Sequence, residues 1–198
     1  MSHYYTKNSS LESNRQSFIF TYDKFDFHFT SDIGVFSKEF IDYGTRVLLN
    51  AITVEESYGS LLDVGCGYGP IGICLKKLYP QLAVTMVDVN DRAIELAKYN
   101  AGQNGVEVEV FESNCYGNVG ASFDLIVTNP PIRAGKEIVM DIIVNSFSHL
   151  NDGGSFYAVV QKKQGAGSIK KALESVYGNC EVVKRDKGYY ILKAIKSV

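Results

Sequence analysis

The chain has 198 residues, 45% of them hydrophobic, with 18 glycines and 20 Lys+Arg against 22 Asp+Glu, a formal charge of −2. That composition excludes a disordered, collagen-like or disulfide-scaffold chain and predicts one globular domain with enough apolar material for a core. No window approaches the roughly 18 consecutive apolar residues of a membrane span, and Met1-Ser2-His3-Tyr4-Tyr5-Thr6-Lys7 has no apolar leader core, so a soluble cytoplasmic protein without membrane contact is expected.

In chain order, Phe18-Ile19-Phe20 and Phe25-Asp26-Phe27-His28-Phe29 predict a small antiparallel pair, followed by a helix at about 38–51. No linker separates residues 1–59 from the rest, so they read as an N-terminal β/α extension of a core at 60–198, the whole being a single domain. The core opens with the strand Leu61-Leu62-Asp63-Val64, a glycine-rich turn, and a helix from Ile71 to Leu78. Ala83–Asp88 is an apolar strand, and a helix with Ala93, Ile94, Leu96 and Ala97 on one face follows Asp91. Further strands are expected at about 106–111, 123–128 and 154–161, with helices at about 136–149 and 167–177. Cys180–Arg185 and Tyr189–Ile195, joined at Lys187-Gly188, read as a terminal hairpin. The fold class expected is α/β: a Rossmann-like, doubly wound, mostly parallel seven-stranded sheet with an antiparallel last strand.

The turn after the first core strand, Asp63-Val64-Gly65-Cys66-Gly67-Tyr68-Gly69-Pro70-Ile71-Gly72, lets a ligand approach the backbone closely. Residues 67–72 also satisfy the dinucleotide pattern G-x-G-x-x-G, a weak signal alone. Asp63 at the strand end would repel a pyrophosphate and attract an ammonium or sulfonium, which favours S-adenosylmethionine over a nicotinamide cofactor. Asp88, ending the next strand, can accept from ribose hydroxyls of either cofactor. Asn114, after the third strand, is either an adenine reader or an ordinary turn residue.

The fourth strand runs into Asn129-Pro130-Pro131-Ile132, at the edge where open α/β sheets place their ligands. Pro130 holds Asn129 extended, leaving the Asn129 side chain and the Pro130 carbonyl as rigid acceptors. Two acceptors aimed at the hydrogens of an exocyclic amine or amide would localise a nitrogen lone pair that is otherwise delocalised. Such chemistry needs orientation and no metal. Cys66, Cys74, Cys115 and Cys180 contain no CxxC pair and lie far from His3, His28 and His149, so no metal site is expected. Residues 162–198 carry nine basic side chains against Glu174, Glu181 and Asp186, either a solvated surface or a phosphate-binding face.

Asp63-Val64-Gly65-Cys66-Gly67-Tyr68-Gly69, Asp88 and Asn129-Pro130-Pro131 resemble the class I S-adenosylmethionine-dependent methyltransferases that modify planar nitrogen. Ser31-Asp32-Ile33-Gly34-Val35-Phe36-Ser37, Asp42-Tyr43-Gly44 and Leu48-Leu49 narrow the resemblance to the small-subunit ribosomal RNA guanine-N2 methyltransferases of the RsmC type. Asn129–Lys136 and Gln161–Ala166 are similar to their compact single-domain form, and the resemblance spans roughly residues 15 to 196. It implies methyl transfer from S-adenosylmethionine to the N2 amine of a guanine in ribosomal RNA or the small ribosomal subunit. Asp63, Gly65, Cys66, Gly67, Gly69, Asp88 and Asn114 would hold the cofactor. Asn129, Pro130, Pro131 and Ile132 would form the catalytic segment.

Ile132 stands where the motif usually has Phe or Tyr to stack on the base; Phe36 is the substitute clamp, or else buried core. Arg133, Lys136, Lys162 and Lys163 are the expected RNA-backbone contacts, whereas Lys184, Arg185, Lys193 and Lys196 are expected to lie distally on the terminal hairpin. Other readings keep the chemistry on adenine N6 or a protein glutamine, invoke a nicotinamide oxidoreductase, or see an inactive RNA-binding relative.

Overall fold

The computed structural model describes residues 12–35 and 40–198. The strands β1 (Gln16–Tyr22) and β2 (Phe25–Ser31) form an antiparallel hairpin. The short helix α1 (Tyr43–Leu49) follows. It starts later than the expected 38–51, because Asp42 caps it by accepting from Thr45 N at 3.2 Å; residues 38 and 39 of that expectation lie outside the described residues.

The core runs β3 (Ser60–Val64), α2 (Pro70–Leu78), β4 (Ala83–Asp88), α3 (Asp91–Gln103), β5 (Glu109–Glu112), β6 (Phe123–Thr128), α4 (Lys136–Asn145), β7 (Leu150–Gln161), α5 (Ala166–Tyr177), β8 (Glu181–Asp186) and β9 (Tyr189–Ile195). Strand β5 starts three residues after the expected 106 because the chain there still closes α3. Val106 N reaches back to Ala101 O and Gly105 N to Gly102 O around a left-handed Gly105. The helix expected to reach 149 ends at Asn145 and continues as a 3-10 turn, Ser146–His149.

The seven-stranded sheet has the order β5-β4-β3-β6-β7-β9-β8. The first five strands in that order are parallel; β9 inserts antiparallel between β7 and β8. The central strand β3 reads as a continuous apolar run because both its faces are covered: Leu61, Leu62 and Val64 are all buried. One face carries α1, α2, α3 and the hairpin, the other α4 and α5. The chain leaves β3 for β4 on one side and later places β6 on the other. The carboxyl ends of β3 and β6 therefore flank a topological switch point, where such sheets open a crevice.

The N-terminal hairpin is held on the core by two side-chain amides, Asn100 on α3 and Asn104 at its C-cap. Asn100 accepts from Thr30 N and donates to Thr30 O, each at 2.9 Å, and Asn104 does the same for His28 at 2.9 and 2.8 Å. Four residues apart on a helix, the two amides stand on one face and satisfy the open edge of β2 as a neighbouring strand would. Phe18 and Phe29 then meet Tyr68, which lies within the glycine turn, edge to face. Among the described residues no helix is long and apolar enough to cross a membrane.

Candidate active site

After β3 the chain turns through Gly65, Gly67 and Gly69, all at positive φ. Gly65 N and Cys66 N both donate to Val87 O at 2.9 Å, Gly67 N to Asp88 Oδ2 at 2.8 Å and Gly69 N to Cys66 O at 3.1 Å. Helix α2 then starts with Pro70, which has no N–H, while Gly72 N donates to Asp63 Oδ2 at 3.0 Å. Pro70 offers no N–H, and the amides of Gly67, Gly69 and Gly72 are already engaged, which argues physically against a pyrophosphate cradled at this helix N-terminus. Gly72 is required for close packing instead: a Cβ there would sit 2.3 Å from Met86 Sδ and 3.3 Å from Asp63 Oδ2.

Asp63 is fully buried. Burial pushes its carboxyl up to about 7; the Gly72 N–H opposes that shift and the Asp88 carboxylate adds to it. Its Oδ1 is buried without a hydrogen-bond partner. An unmet carboxylate oxygen beside a cleft suits a cationic ligand group and opposes an anionic one. Asp88 accepts from Gly67 N through Oδ2 and from Asn90 N through Oδ1. Burial raises its pKa against the pull of those N–H groups.

The switch point is an open cleft whose walls include Gly65, Cys66, Gly67, Asp88, Asn129, Pro130 and Pro131. Val35 and Ala93 complete one wall, Asp42 and Thr45 another. Asp63 and Gly69 support the loop without forming wall. Asn114 is exposed and stands outside the cleft, with Cys115 Sγ 3.8 Å from its Oδ1. Val35 is brought over the cleft by the segment preceding it. Asn90 Nδ2 donates to Gly34 O at 3.1 Å and Arg92 Nη1 to Ile33 O at 2.8 Å. Asp32, buried nearby, would be raised by desolvation, but hydrogen bonds from Ser13, Asn14 and Ile33 and the Arg92 charge outweigh it and hold the carboxyl below its ordinary value. Phe36, the expected base clamp, lies outside the described residues.

On the acceptor side, Thr128 Oγ1 anchors the end of β6 to Val64 O at 2.8 Å. Asn129 Nδ2 donates to Asp42 Oδ2 and to Thr45 Oγ1, both at 3.0 Å. A carboxylate accepts only, so this pairing fixes which way round the amide lies and leaves Oδ1 as its unengaged atom. The Pro130 carbonyl, expected to be free, accepts from Ile132 N at 2.9 Å. The correction has a geometric cause: the two prolines fold the chain into a tight turn that needs this bond, and only the second lone pair remains for a ligand.

A second cleft adjoins the first and shares Asp42, Asn129 and Pro130 with it. Its remaining walls are Ile132, Arg133, Val159, Val160, Gln161, Gln164 and Tyr189. Tyr189 faces Gln161 in the β7–β9 pairing and its hydroxyl accepts from Gln161 Nε2 at 2.9 Å. Its ring packs directly on Gly44, where a Cβ would lie 2.8 Å from Tyr189 Cε1. The aromatic surface missing at Ile132 is therefore available from β9. Sequence reading did not name Tyr189, Asp42 or Thr45 as site residues; the stretch Asp42-Tyr43-Gly44 carried a signal only for the family resemblance.

Lys162 and Lys163 form an exposed 3-10 turn at the end of β7, Lys136 begins α4, and Arg133 lies in the second cleft, so these four gather at one edge of the sheet. The expectation for the terminal hairpin needs correction. Lys162 N donates to Gly188 O at 2.8 Å, so the hairpin turn sits at this same edge. It carries Lys187, 4.9 Å over the Tyr43 ring, and Arg185, paired with Tyr190, close behind. Only Lys193 and Lys196 run to the far end, where Lys196 Nζ donates to Leu150 O at 2.9 Å. Strand register, invisible in a count of charges, makes the difference. Among the described residues no cluster of three or more His, Cys, Asp or Glu could hold a metal ion.

A family model described as Methyltransferase small domain matches residues 26–193. Uncharacterized protein YbxB of Bacillus subtilis (strain 168) is 46% identical over 197 residues, 98% of each chain. Ribosomal RNA small subunit methyltransferase C of Erwinia tasmaniensis is 33% identical over 83% of this chain and 48% of its own length. Its counterpart in Escherichia coli (strain K12 / DH10B) is 32% identical over 82% and 47%. This chain thus spans about half the length of those two methyltransferases. Among solved structures, the T. thermophilus 16S rRNA N2 methyltransferase RsmC, in complex with AdoMet and guanosine, superposes with a TM-score of 0.83 at 24% identity, covering 94% of this chain and 52% of that one.

Proposed function

This chain belongs to the methyltransferase small domain family, and from that premise we propose that it transfers a methyl group from S-adenosylmethionine to the exocyclic N2 amine of a guanine in small-subunit ribosomal RNA. The observation that carries the acceptor chemistry is the Asn129 amide. Both its donors are committed to Asp42 and Thr45, and its Oδ1 is left at the place where two clefts share their walls. The RsmC relatives and the fold neighbour bound to AdoMet and guanosine support the choice of cofactor and of base.

The residues present suit that cofactor. Asp88 offers carboxylate oxygens to ribose hydroxyls, Gly65, Cys66 and Gly67 let it lie close to the backbone, and the unpartnered Asp63 Oδ1 provides for its ammonium. S-adenosylmethionine supplies the sulfonium-bound methyl group. The protein's own contribution is orientation: Asn129 Oδ1 and the second lone pair of the Pro130 carbonyl accept hydrogens of the acceptor amine and turn its lone pair toward the first cleft. Ile132 and Tyr189 offer apolar and aromatic surface to a planar base.

Incubation of the purified protein with isotopically labelled S-adenosylmethionine and small-subunit ribosomal RNA, naked or assembled, followed by mass spectrometry of the nucleosides and of the digested ribosomal proteins, should show label in N2-methylguanosine. Label in N6-methyladenosine or in methylglutamine would reassign the acceptor, and no label in any product would leave only an RNA-binding relative.

The RNA backbone is assigned to Arg133, Lys136, Lys162 and Lys163, joined by Lys187 at the same edge. Changing Lys162 and Lys163 together to Ala should weaken RNA binding and lower its salt slope by about two units, one per phosphate contact, with S-adenosylmethionine affinity unchanged. A salt titration that gives the parent slope would remove both lysines from the RNA path.

A further inference from the structure

Asp42 occupies a position that its capping role does not explain. It is half-buried, forms wall in both clefts, and uses one oxygen twice: Oδ2 accepts from Thr45 N at 3.2 Å and from Asn129 Nδ2 at 3.0 Å. Among the described residues Oδ1 has no hydrogen-bond partner. We infer that Asp42 is the residue that selects guanine over other purines, by accepting the N1–H of the acceptor base through Oδ1.

The argument rests on the guanine-N2 reading above and on the Watson–Crick edges of the purines. Guanine presents N1–H and the N2 amine side by side, two adjacent donors. A base whose N2 amine is held by Asn129 Oδ1 brings N1–H toward the groups bonded to Asn129, Asp42 and Thr45, and of these only Asp42 lines the second cleft as well as the first. A carboxylate is an acceptor only, so the edge is matched donor to acceptor at both positions. A purine with a lone pair at N1, such as adenine or 2-aminopurine, would set that lone pair against a carboxylate oxygen with no proton between them. A site built around a hydrogen bond rejects strongly the analogue that lacks it, because the buried partner is left unpaired. Asp42 thereby links two tasks: Oδ2 orients the amide that holds the nucleophile, and Oδ1 checks the atom beside it.

The test uses Asp42→Asn. Asparagine caps a helix as well as aspartate does and keeps one oxygen for Thr45 and Asn129, but turns the second acceptor into a donor. Short RNAs would be synthesised around the guanine that nucleoside mapping identifies, with that single base either guanine or 2-aminopurine, which keeps the N2 amine and lacks N1–H. The parent should methylate guanine at least about 100-fold faster than 2-aminopurine in kcat/KM. Asp42→Asn should erase or invert that ratio with S-adenosylhomocysteine affinity and Tm near the parent's. A variant that keeps the parent ratio, or a parent that does not discriminate, overturns the assignment while the guanine-N2 reading stands. Loss of S-adenosylhomocysteine affinity with an unchanged ratio would show that Asp42 serves the cofactor instead. Mapping that finds methyl label only on adenine would sink both.

Discussion

Asn129→Ala should lower methyl transfer by on the order of 100-fold or more in kcat while S-adenosylmethionine affinity stays within about twofold of the parent. The variant removes the one acceptor in the shared wall whose orientation is fixed from behind, by Asp42 and Thr45. It leaves the glycine loop, Asp63 and Asp88 intact, so binding and turnover should separate. Single-turnover kinetics with the mapped RNA, alongside calorimetry with S-adenosylhomocysteine, measures both quantities. Near-normal turnover would reduce Asn129 to a turn residue ahead of two prolines. A parallel fall in cofactor affinity would mean that the amide serves the first cleft and not the acceptor.

Asp63→Asn should weaken S-adenosylmethionine binding by about 10- to 100-fold at pH 8 and flatten a pH dependence that the parent displays. The carboxyl is raised on folding from 3.8 to about 7, so between those values the folded protein holds a proton that the unfolded chain has released. The ligand-free protein must then lose stability as pH rises from about 4 to about 7, by at most about 1.4 kcal/mol per pH unit, and no further above that from this group. A cationic ligand favours the ionised carboxylate, so affinity should climb by up to about tenfold per pH unit below pH 7 and level off above it. Asparagine carries no charge at any pH and removes the part of both slopes that belongs to Asp63. Asp88 faces the same loop with its own pKa raised by burial, and the slope that survives in Asp63→Asn is its share. Calorimetry from pH 5.5 to 8.5 with a flat parent profile, and normal affinity in the variant, would leave Asp63 as no more than the acceptor for Gly72.

The elements that could be read from the chain are those whose cause is local. The apolar run of β3, the glycine turn through Gly65 and Gly67, the apolar face of α3 and the two adjacent prolines after β6 each follow from dihedral preference, periodicity or a missing N–H within a few residues. Because strands alternate with helices, the same local signals fixed a parallel sheet, and a parallel sheet puts every strand's carboxyl end on one edge. That is why Asp63, Asp88 and Asn129, though dispersed along the chain, were expected at the same edge of the sheet.

What only the tertiary structure decided is which side chains from other elements meet there. Asp42 and Thr45 reach Asn129 because α1 packs across β7 and β9; no spacing rule connects residues 42 and 129. Tyr189 enters the second cleft because β9 inserts between β7 and β8, and Lys187 reaches the same edge because the hairpin register brings Gly188 to Lys162. The sequence placed Lys184, Arg185, Lys193 and Lys196 distally on the terminal hairpin, since it shows that two strands pair but not which end of the sheet their turn faces. Dihedral and turn preferences act over a few residues and are printed in the chain. Long-range adjacency comes from burying apolar faces against one another, which is nearly indifferent to the polar side chains it brings together, so the partners that orient Asn129 became legible only once the faces were packed.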